Sequence, residues 1–369
     1  MMKYLRAIPD WGRWLIAFLL FLLAIGIFGV FAFAPTQTPR TVRVGLVLPY
    51  SMDASEQCGV HYEGMKQACE DFDVELLVRE SKNAQEYRQA AHDLAKEGVG
   101  LIFLCGNPRP STVDDAISEN PKVTFATMTS GINAANVTTC LVRMYQGRYL
   151  AGALAAMQTK TDVIGYVAAM QNPEVTREIN AFALGARRLN PKVRVVVAWT
   201  NAWKNEEKET ENVRRLVKEA GADIVTYHQD DQSVHRAASA LGVDYIGYQV
   251  RQADMPEHSL GSVVCRWDIY YRAIIDHYLK GDLNKIKTRW IGIEDGAVWL
   301  SDVPDRIEYL TGYFVVRLRR ELDHGRPIFK GPIRDTAGNL RIADGEVLRD
   351  TALTTRMDWF AEGVEFLGK

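Results

Sequence analysis

The sequence reads DVIGYVA at residues 162–168, VRVVVAW at 193–199, ADIVT at 222–226 and DYIGY at 244–248. These four short runs are rich in β-branched and aromatic residues. Amphipathic stretches such as residues 173–189 and 206–220 separate them. Strand-like runs that alternate with helical patterns are typical of βαβ units around a parallel sheet. We therefore predict an α/β fold.

A similar series of four runs comes earlier in the chain: VRVGLVL at 42–48, VELLV at 74–78, VGLIFL at 99–104 and KVTFA at 122–126. Two series with similar spacing predict two similar lobes. Open parallel sheets bind ligands at the carboxyl ends of their strands. Polar and aromatic residues follow the strands of the second series, among them Trp203, His228 and Asp230. We therefore expect a ligand cleft between the lobes, where these residues line one side.

The composition is that of a folded, nearly neutral protein. Of 369 residues, 47% are apolar and 24% are charged, and the formal net charge is −2. Wholesale disorder and a globally basic nucleic-acid binder are both excluded. The chain has no GxxxxGK[ST], GxGxxG, GxSxG or HExxH motif, and these motifs mark many nucleotide-dependent enzymes and hydrolases. Their absence weighs against these classes but does not by itself exclude an enzyme. For this chain we expect no catalytic activity, no cofactor, no metal and no nucleic-acid partner.

Residues 14–34 carry no charge and form 21 consecutive mostly apolar positions. As a helix they would span roughly 31 Å, which is about the hydrocarbon thickness of a bilayer. Three basic residues and one acidic residue precede them, which predicts a cytoplasmic N-terminus. Two interpretations stay open: residues 1–34 are an uncleaved membrane anchor, or a signal peptide cleaved near Ala34. In both, a linker at 35–40 leads to an extracytoplasmic body.

The five cysteines form no CxxC pair: Cys58, Cys69, Cys105, Cys140 and Cys265. Cys58 and Cys105 follow the first and third strands of the first series, which are usually neighbours in such a sheet. Either these two form a disulfide or a shared thiol site, or they are small buried residues in an apolar environment.

Several longer segments match a known pattern in order and spacing: Gly147-Arg-Tyr-Leu-Ala-Gly152, Val163-Ile-Gly-Tyr-Val167, Asn172-Pro-Glu-Val175, Asn201-Ala-Trp203 and Gly331-Pro-Ile-Arg-Asp335. They resemble the basic membrane protein (BMP, PnrA-like) family of substrate-binding proteins. The resemblance covers nearly the whole chain from Val42 and is strongest at 145–248 and 330–364. It implies a type I periplasmic-binding-protein fold whose two parallel-sheet lobes are joined by a hinge. Lobe 1 would comprise 41–147 and 250–283, and lobe 2 would comprise 148–249 and 284–369.

The resemblance also implies a function. Members of this family deliver purine nucleosides or nucleobases to an ABC importer, and they hold the base between two aromatic side chains, one from each lobe. We therefore expect an extracytoplasmic solute-binding protein with a purine-like ligand and an ABC permease in the membrane as its partner. Trp203 matches the aromatic residue of the second lobe. The expected polar contacts are Asp53, Gln57, Asn107, His228, Asp230 and Gln249.

The sequence departs from the family pattern at two positions. Glu56 stands where the first lobe of the family has its aromatic residue, and Gln249 stands where the family has a ribose-binding carboxylate. Either Tyr145, or Tyr50 or Tyr62, supplies the second aromatic face, or Glu56 recognises a different polar ligand together with Arg266 or Arg251.

Two other functions stay open at this stage. One is a membrane-anchored ligand sensor or scaffold of the same fold, with no transport role. The other is a nucleoside-processing enzyme, which needs a paired acid and base or a calcium-binding cluster of aspartates. The pair Asp230-Asp231 alone does not supply either.

Overall fold

The computed structural model describes residues 42–368 except 107, 130, 252–255, 288 and 302, and before them Pro9, Trp11, Trp14, Leu15, Phe18, Leu19 and Phe21. The chain divides into two compact units, Met1–Thr41 and Val42–Lys369. Among the described residues, no helix combines the length and the apolar character needed to cross a membrane. Most of the predicted anchor at 14–34 lies outside the described residues.

The first sheet of the larger unit contains five parallel strands in the order β2-β1-β3-β4-β5. Its strands are β1 (Arg43–Leu48), β2 (Glu75–Glu80), β3 (Leu101–Leu104), β4 (Thr124–Thr127) and β5 (Val137–Thr139). The connecting helices are α1 (Glu56–Asp71), α2 (Ala84–Lys96) and α3 (Pro110–Glu119). Strand β3 is buried along its whole length, as expected for a parallel strand that helices cover on both faces.

Two segments that pass between the lobes pair with each other, namely β6 (Leu141–Val142) and β12 (Trp290–Ile291). Leu141 lies opposite Trp290 and Val142 lies opposite Ile291. A short parallel ladder therefore joins two of the connections between the sheets.

The second sheet contains seven strands in the order β13-β11-β10-β9-β7-β8-β16. They are β7 (Val163–Ala168), β8 (Arg194–Trp199), β9 (Ile224–His228), β10 (Asp244–Tyr248), β11 (Ser259–Cys265), β13 (Val298–Ser301) and β16 (Val364–Phe366). Strand β13 is antiparallel to β11, and the other pairs are parallel. Helix α4 (Met144–Gln158) precedes β7. The helices that connect the next strands are α5 (Pro173–Leu189), α6 (Glu206–Lys218) and α7 (Ser233–Ala240). All eight predicted strand runs are strands.

The structure differs from the predicted lobe boundaries at β11. We assigned residues 250–283 to lobe 1, but β11 pairs with β10 and β13 in the second sheet. The helix that follows, α8 (Trp267–Leu279), packs against α1 of the first lobe. The chain therefore returns to lobe 1 after Cys265 and not after Gln249, because the fully buried β11 completes the parallel part of the second sheet. The other boundaries stay predictions.

The last part of the chain adds to the second lobe. It contains α9 (Tyr309–Asp323), the antiparallel pair β14 (Ile333–Arg334) and β15 (Leu340–Ile342), and α10 (Asp350–Thr355) before β16. Helix α9 corresponds to no predicted element.

Two glycines allow helices α4 and α5 to cross at very short distance. A Cβ atom on Gly152 would overlap the backbone of Phe182, and one on Gly185 would overlap the backbone of Tyr149. Gly152 is the last residue of a segment that carried the family resemblance, and the close approach of α5 shows that this glycine serves helix packing.

Candidate functional site

A cleft with a cavity of about 540 Å³ opens between the two sheets of the larger unit. Its walls come from residues that follow the carboxyl ends of β1, β3, β4 and β8–β10, together with the start of α5. This is the edge at which open parallel sheets bind ligands, and the volume suits a small organic molecule. Residues that line it include Tyr50, Gln57, Cys105, Met128, Glu174, Arg177, Trp203, His228, Asp230, Tyr248, Gln249 and Trp267.

Five of the predicted site residues line this cleft: Gln57, Trp203, His228, Asp230 and Gln249. The structure brings them together, and their role in binding stays a prediction. Asn107 lies outside the described residues. Asp53 and Glu56 are exposed and do not line the cavity, although their loop touches the loop of Trp203. In that contact, Lys204 Nζ donates a hydrogen bond to the carbonyl oxygen of Ala54 at 2.5 Å.

Tyr145 and Arg266 lie elsewhere, for identifiable reasons. The Tyr145 hydroxyl accepts a hydrogen bond from Arg143 at 2.7 Å, and its ring packs on Phe329 away from the cavity. Arg266 forms a two-pronged ion pair with Asp268, at 2.8 and 2.7 Å, on the surface of the N-terminal end of α8. A guanidinium bound in this way does not reach the cleft. Of the other tyrosines considered as aromatic partners, Tyr50 lines the cleft and Tyr62 does not.

Trp203 is held by its backbone. The Asp230 amide donates to the Trp203 carbonyl oxygen at 2.9 Å. The buried Gln229, with its amide oriented to suit its neighbours, donates to the carbonyl oxygens of Ala202 and Trp203 at 3.0 and 2.8 Å. Behind the indole lies His228, with the ring centroids 5.8 Å apart. The loop after β8 is therefore pinned to the loop after β9, and the indole forms a fixed aromatic wall of the cleft.

A buried polar network supports that wall from below. Arg148 on α4 is completely buried and donates to Glu178 Oε2 at 3.0 Å and to the Tyr227 carbonyl oxygen at 2.6 Å. Its guanidinium also lies 3.8 Å from the centroid of the Tyr248 ring. His228 Nδ1 is 3.4 Å from Glu178 Oε2, and His228 Nε2 is 3.2 Å from the Tyr248 hydroxyl. Burial lowers the pKa of His228 to about 4, so the imidazole is neutral at physiological pH.

Two further carboxyl groups face the cavity, Glu174 on the first turn of α5 and Asp230 after β9. Burial, together with the repulsion between neighbouring carboxylates, raises the pKa of Glu174 to about 7 and that of Asp230 to about 7. The negative charge of Glu178 helps to raise the pKa of Glu174, and the negative charge of Glu174 helps to raise the pKa of Asp230. The second-lobe wall is therefore rich in hydrogen-bond acceptors and binds protons readily.

Gln249 closes this wall at the rim. Its backbone has a φ of 68°, in the left-handed region that non-glycine residues seldom adopt. Its backbone N–H donates to the Val263 carbonyl oxygen at 2.7 Å. Its side-chain Oε1 has no hydrogen-bond partner among the described residues. Strained backbone of this kind concentrates at ligand sites.

The first-lobe wall contains a buried histidine and two aromatic residues. His61 is buried, its Nδ1 is 2.8 Å from the Tyr271 hydroxyl, and its ring centroid is 3.8 Å from that of Trp267. Burial lowers the pKa of His61 to about 3. Trp267 and Tyr50 give this side aromatic surface.

Cysteines contribute to the same wall. Cys58 and Cys105 both line the cleft, and burial raises the pKa of each thiol above its usual value. All five cysteines, each within the described part of the chain, are buried free thiols. This favours the interpretation as small buried residues over that of a disulfide.

Glu174, Glu178 and His228 each place one potential ligand atom within 4.8 Å of the other two, a spacing that could hold a metal ion. However, Arg148 already binds the Glu178 carboxylate at 3.0 Å, and a cation there would face that guanidinium. The prediction of no metal site stays a prediction.

Four residues that line the cleft are absent from the predicted site: Glu174, Arg177, Glu178 and Trp267. Glu174 and Glu178 lie one turn apart on α5, in the Asn172-Pro-Glu-Val175 segment and just after it. That segment was noted only as part of the family resemblance. Its position after β7, at the same sheet edge as His228, was the signal that could have pointed to the cleft.

Together, the two parallel-sheet lobes and the cleft between them define a solute-binding protein of the periplasmic-binding-protein fold. Residues 42–311 match the family model described as ABC transporter substrate-binding protein PnrA-like (Bmp), and the chain belongs to this family. It is therefore an ABC transporter solute-binding protein and not an enzyme, and the family indicates an extracytoplasmic, membrane-associated location.

The chain is similar to several known proteins. It is 30% identical over 284 residues to a purine-binding protein of Brucella abortus, covering 74% of this chain and 77% of that protein. It is 35% identical over 219 residues to a putative ABC transporter glucose-binding protein, TsgA13, of Haloferax volcanii, covering 59% of this chain and 54% of that protein. Among solved structures, a transcriptional activator of the comK gene from Bacillus halodurans matches with a TM-score of 0.66 at 23% identity, covering 77% of this chain and 98% of that one. This last likeness supports the fold alone.

Proposed function

We propose that this protein captures a purine nucleobase or nucleoside in the interlobe cleft and delivers it to an ABC importer. The observation that carries the proposal is the pairing of an aromatic wall with half-buried acceptors: Trp203, Asp230 and Glu174 line the same cavity. A purine has two apolar faces suited to stacking and an edge whose N–H groups need acceptors once water is removed.

The opposite wall supports the same ligand class. Tyr50 and Trp267 lie on the first-lobe side of the cavity, so a flat ligand can contact aromatic surface from both lobes although position 56 is a glutamate. A sugar also stacks on aromatic rings and donates its hydroxyl groups to carboxylates, so a sugar is the competing ligand class. The similarity to the Brucella purine-binding protein over most of both chains supports the purine class further.

The N-terminal segment and an ABC permease also have roles in the proposed function. The uncharged segment at 14–34 anchors the protein or directs its export, and an ABC permease receives the ligand. The competing function is a ligand sensor or scaffold of the same fold, which would bind its ligand but would not be required for uptake.

Thermal unfolding of residues 42–369 with adenine, adenosine, guanosine, hypoxanthine and glucose tests the ligand class. This unit contains both hydrophobic core clusters of the described chain and so has its own core. A ligand at 100 times its dissociation constant adds about 2.7 kcal/mol to the free energy of unfolding, which raises Tm by a few degrees. A shift with a purine and none with glucose is the expected result. A shift with glucose alone would refute the purine assignment.

Uptake separates transport from sensing. Cells that lack this protein should lose accumulation of the radiolabelled purine identified above, and expression of the full chain should restore it. Unchanged uptake despite purine binding would favour the sensor.

A further inference from the structure

Helix α9 exposes an unusual apolar surface. Tyr309, Leu310, Tyr313 and Val316 are 84%, 59%, 53% and 58% exposed. Within the described part of residues 42–368 these are the four most exposed large apolar side chains. We call this group the α9 patch. Single exposed apolar residues are common on soluble proteins, but a cluster on one helix marks a contact surface.

The α9 patch follows from helix geometry. Thr311, Leu318 and Leu322 are buried and attach the helix to the body. Tyr309, Tyr313 and Val316 are spaced four and three residues apart, so they share the opposite, outward side. An ordinary surface helix has polar residues on its outward side. Helix α9 instead presents apolar side chains to solvent on that side.

Basic residues follow the α9 patch along the same helix. Arg317, Arg319 and Arg320 are exposed. Beside them, the carboxylate of Glu321 accepts an ion pair from Arg326 at 2.5 Å, and Arg188 lies 3.7 Å from it. Arg317 also pairs with Glu321, at 3.6 Å. Five arginines thus lie near the C-terminal end of α9, where the acidic residues are Glu321 and Asp323, and Glu308 lies at the other end. Positive charge therefore exceeds negative charge at this margin.

We propose that the α9 patch binds the surface of a lipid bilayer that contains anionic lipids. Tyrosines are enriched at the boundary between headgroups and acyl chains, and helices that lie in this boundary carry arginine or lysine beside an apolar face. The arginines favour a lipid surface over a second protein chain, because phosphate headgroups offer the charge that complements them.

The short linker before the body supports the choice of a lipid surface as the binding partner. Only seven residues, 35–41, separate the uncharged segment at 14–34 from the body. If that segment is the membrane anchor of the proposed function, the effective lipid concentration is high, and weak binding by the α9 patch is sufficient. The lipid contact itself does not require a purine ligand.

Vesicle binding of residues 42–369 tests the inference without the anchor. Co-sedimentation with vesicles of equal parts phosphatidylglycerol and phosphatidylcholine is compared with phosphatidylcholine alone. We expect binding to the anionic vesicles that weakens about 5-fold for each arginine removed in Arg319→Ala and Arg320→Ala. Tyr313→Ser/Val316→Ser should abolish it. The control Leu340→Ser/Val347→Ser removes two apolar side chains outside α9 that are 50% and 43% exposed and should leave binding unchanged.

Three results would overturn the inference. The wild-type unit does not bind anionic vesicles, or Tyr313→Ser/Val316→Ser still binds them. Alternatively, sedimentation without lipid shows a dimer that this double variant dissociates, which identifies a second copy of the chain as the occupant. The purine-induced shift of Tm, measured on the same variants, separates this outcome from failure of the proposed function, since the α9 patch contributes no residue to the cleft.

Discussion

Purine affinity should depend on pH in a direction set by Asp230. Burial and neighbouring carboxylates raise its pKa to about 7. A ligand N–H donates to the ionised carboxylate, so binding requires the deprotonated form. With a pKa near 7, the ionised fraction rises about tenfold between pH 6 and pH 8, and the association constant of a neutral purine should rise by about the same factor.

The stability of the unliganded protein should change with pH in the opposite direction to its affinity for purine. Asp230 and Glu174 both hold protons more tightly in the folded protein than in the unfolded chain, since both pKa values are raised to about 7. Between about pH 4 and pH 7 the folded state therefore binds more protons, and the unliganded unit should lose stability as pH rises through this window. Ligand binding should then add most to the free energy of unfolding at the upper end of this pH window.

Isothermal titration of residues 42–369 with adenosine at pH 6, 7 and 8, in two buffers of different ionisation enthalpy, measures both affinity and proton release. We expect adenosine to bind more tightly as the pH rises from 6 to 8, and we expect net proton release near pH 7. Asp230→Asn should flatten the profile, whereas Asp53→Asn, at an exposed position outside the cleft, should retain it. A flat wild-type profile, or binding that tightens toward pH 6, would refute this role for Asp230.

Two further predictions concern the scaffold behind the cleft. Arg148→Met should leave the buried Glu178 carboxylate without its partner and lower the free energy of unfolding by about 3–5 kcal/mol; urea denaturation measures it, and a loss below 1 kcal/mol would mean that the pair contributes little. Gly152→Ala should destabilise by about 1–3 kcal/mol because its Cβ overlaps the backbone of Phe182. The matched Gly312→Ala, which meets open space on an exposed helix, should be neutral or stabilising, and equal losses in the two variants would show that crowding between α4 and α5 is not the cause.

The strands could be predicted because parallel strands produce a local signal. Runs such as residues 163–168 are apolar throughout and bounded by turns, since both faces of the sheet are covered. His228 and Asp230 could be proposed for the cleft for the same reason, because the topology places the residues after each strand at one edge.

Residues on helices were harder to place. Glu174 and Glu178 on α5 have the pattern of acidic residues that stabilise a helix N-terminus in solvent. Only the crossing of α4 and α5 puts Glu178 against the buried Arg148. Such a contact joins residues 30 positions apart and leaves no local trace in the sequence.

One predicted site residue lies outside the cleft and one helix was not predicted, and both have local causes. Arg266 looked available for a ligand, but Asp268, two residues further on, binds it in the folded helix end. Helix α9 was not predicted because its outward side is apolar, which removes the polar and apolar periodicity on which helix prediction depends.

The most direct test of the account is the affinity of the Trp203→Ala variant for the purine that stabilises the wild-type unit. Stacking of a base on an aromatic ring contributes about 1–3 kcal/mol, so the dissociation constant should increase about 5- to 150-fold. Trp299→Ala, which removes a similarly half-buried indole outside the cleft, is the matched control and should bind like the wild type. Unchanged affinity in Trp203→Ala, with wild-type stability, would contradict purine capture in this cleft.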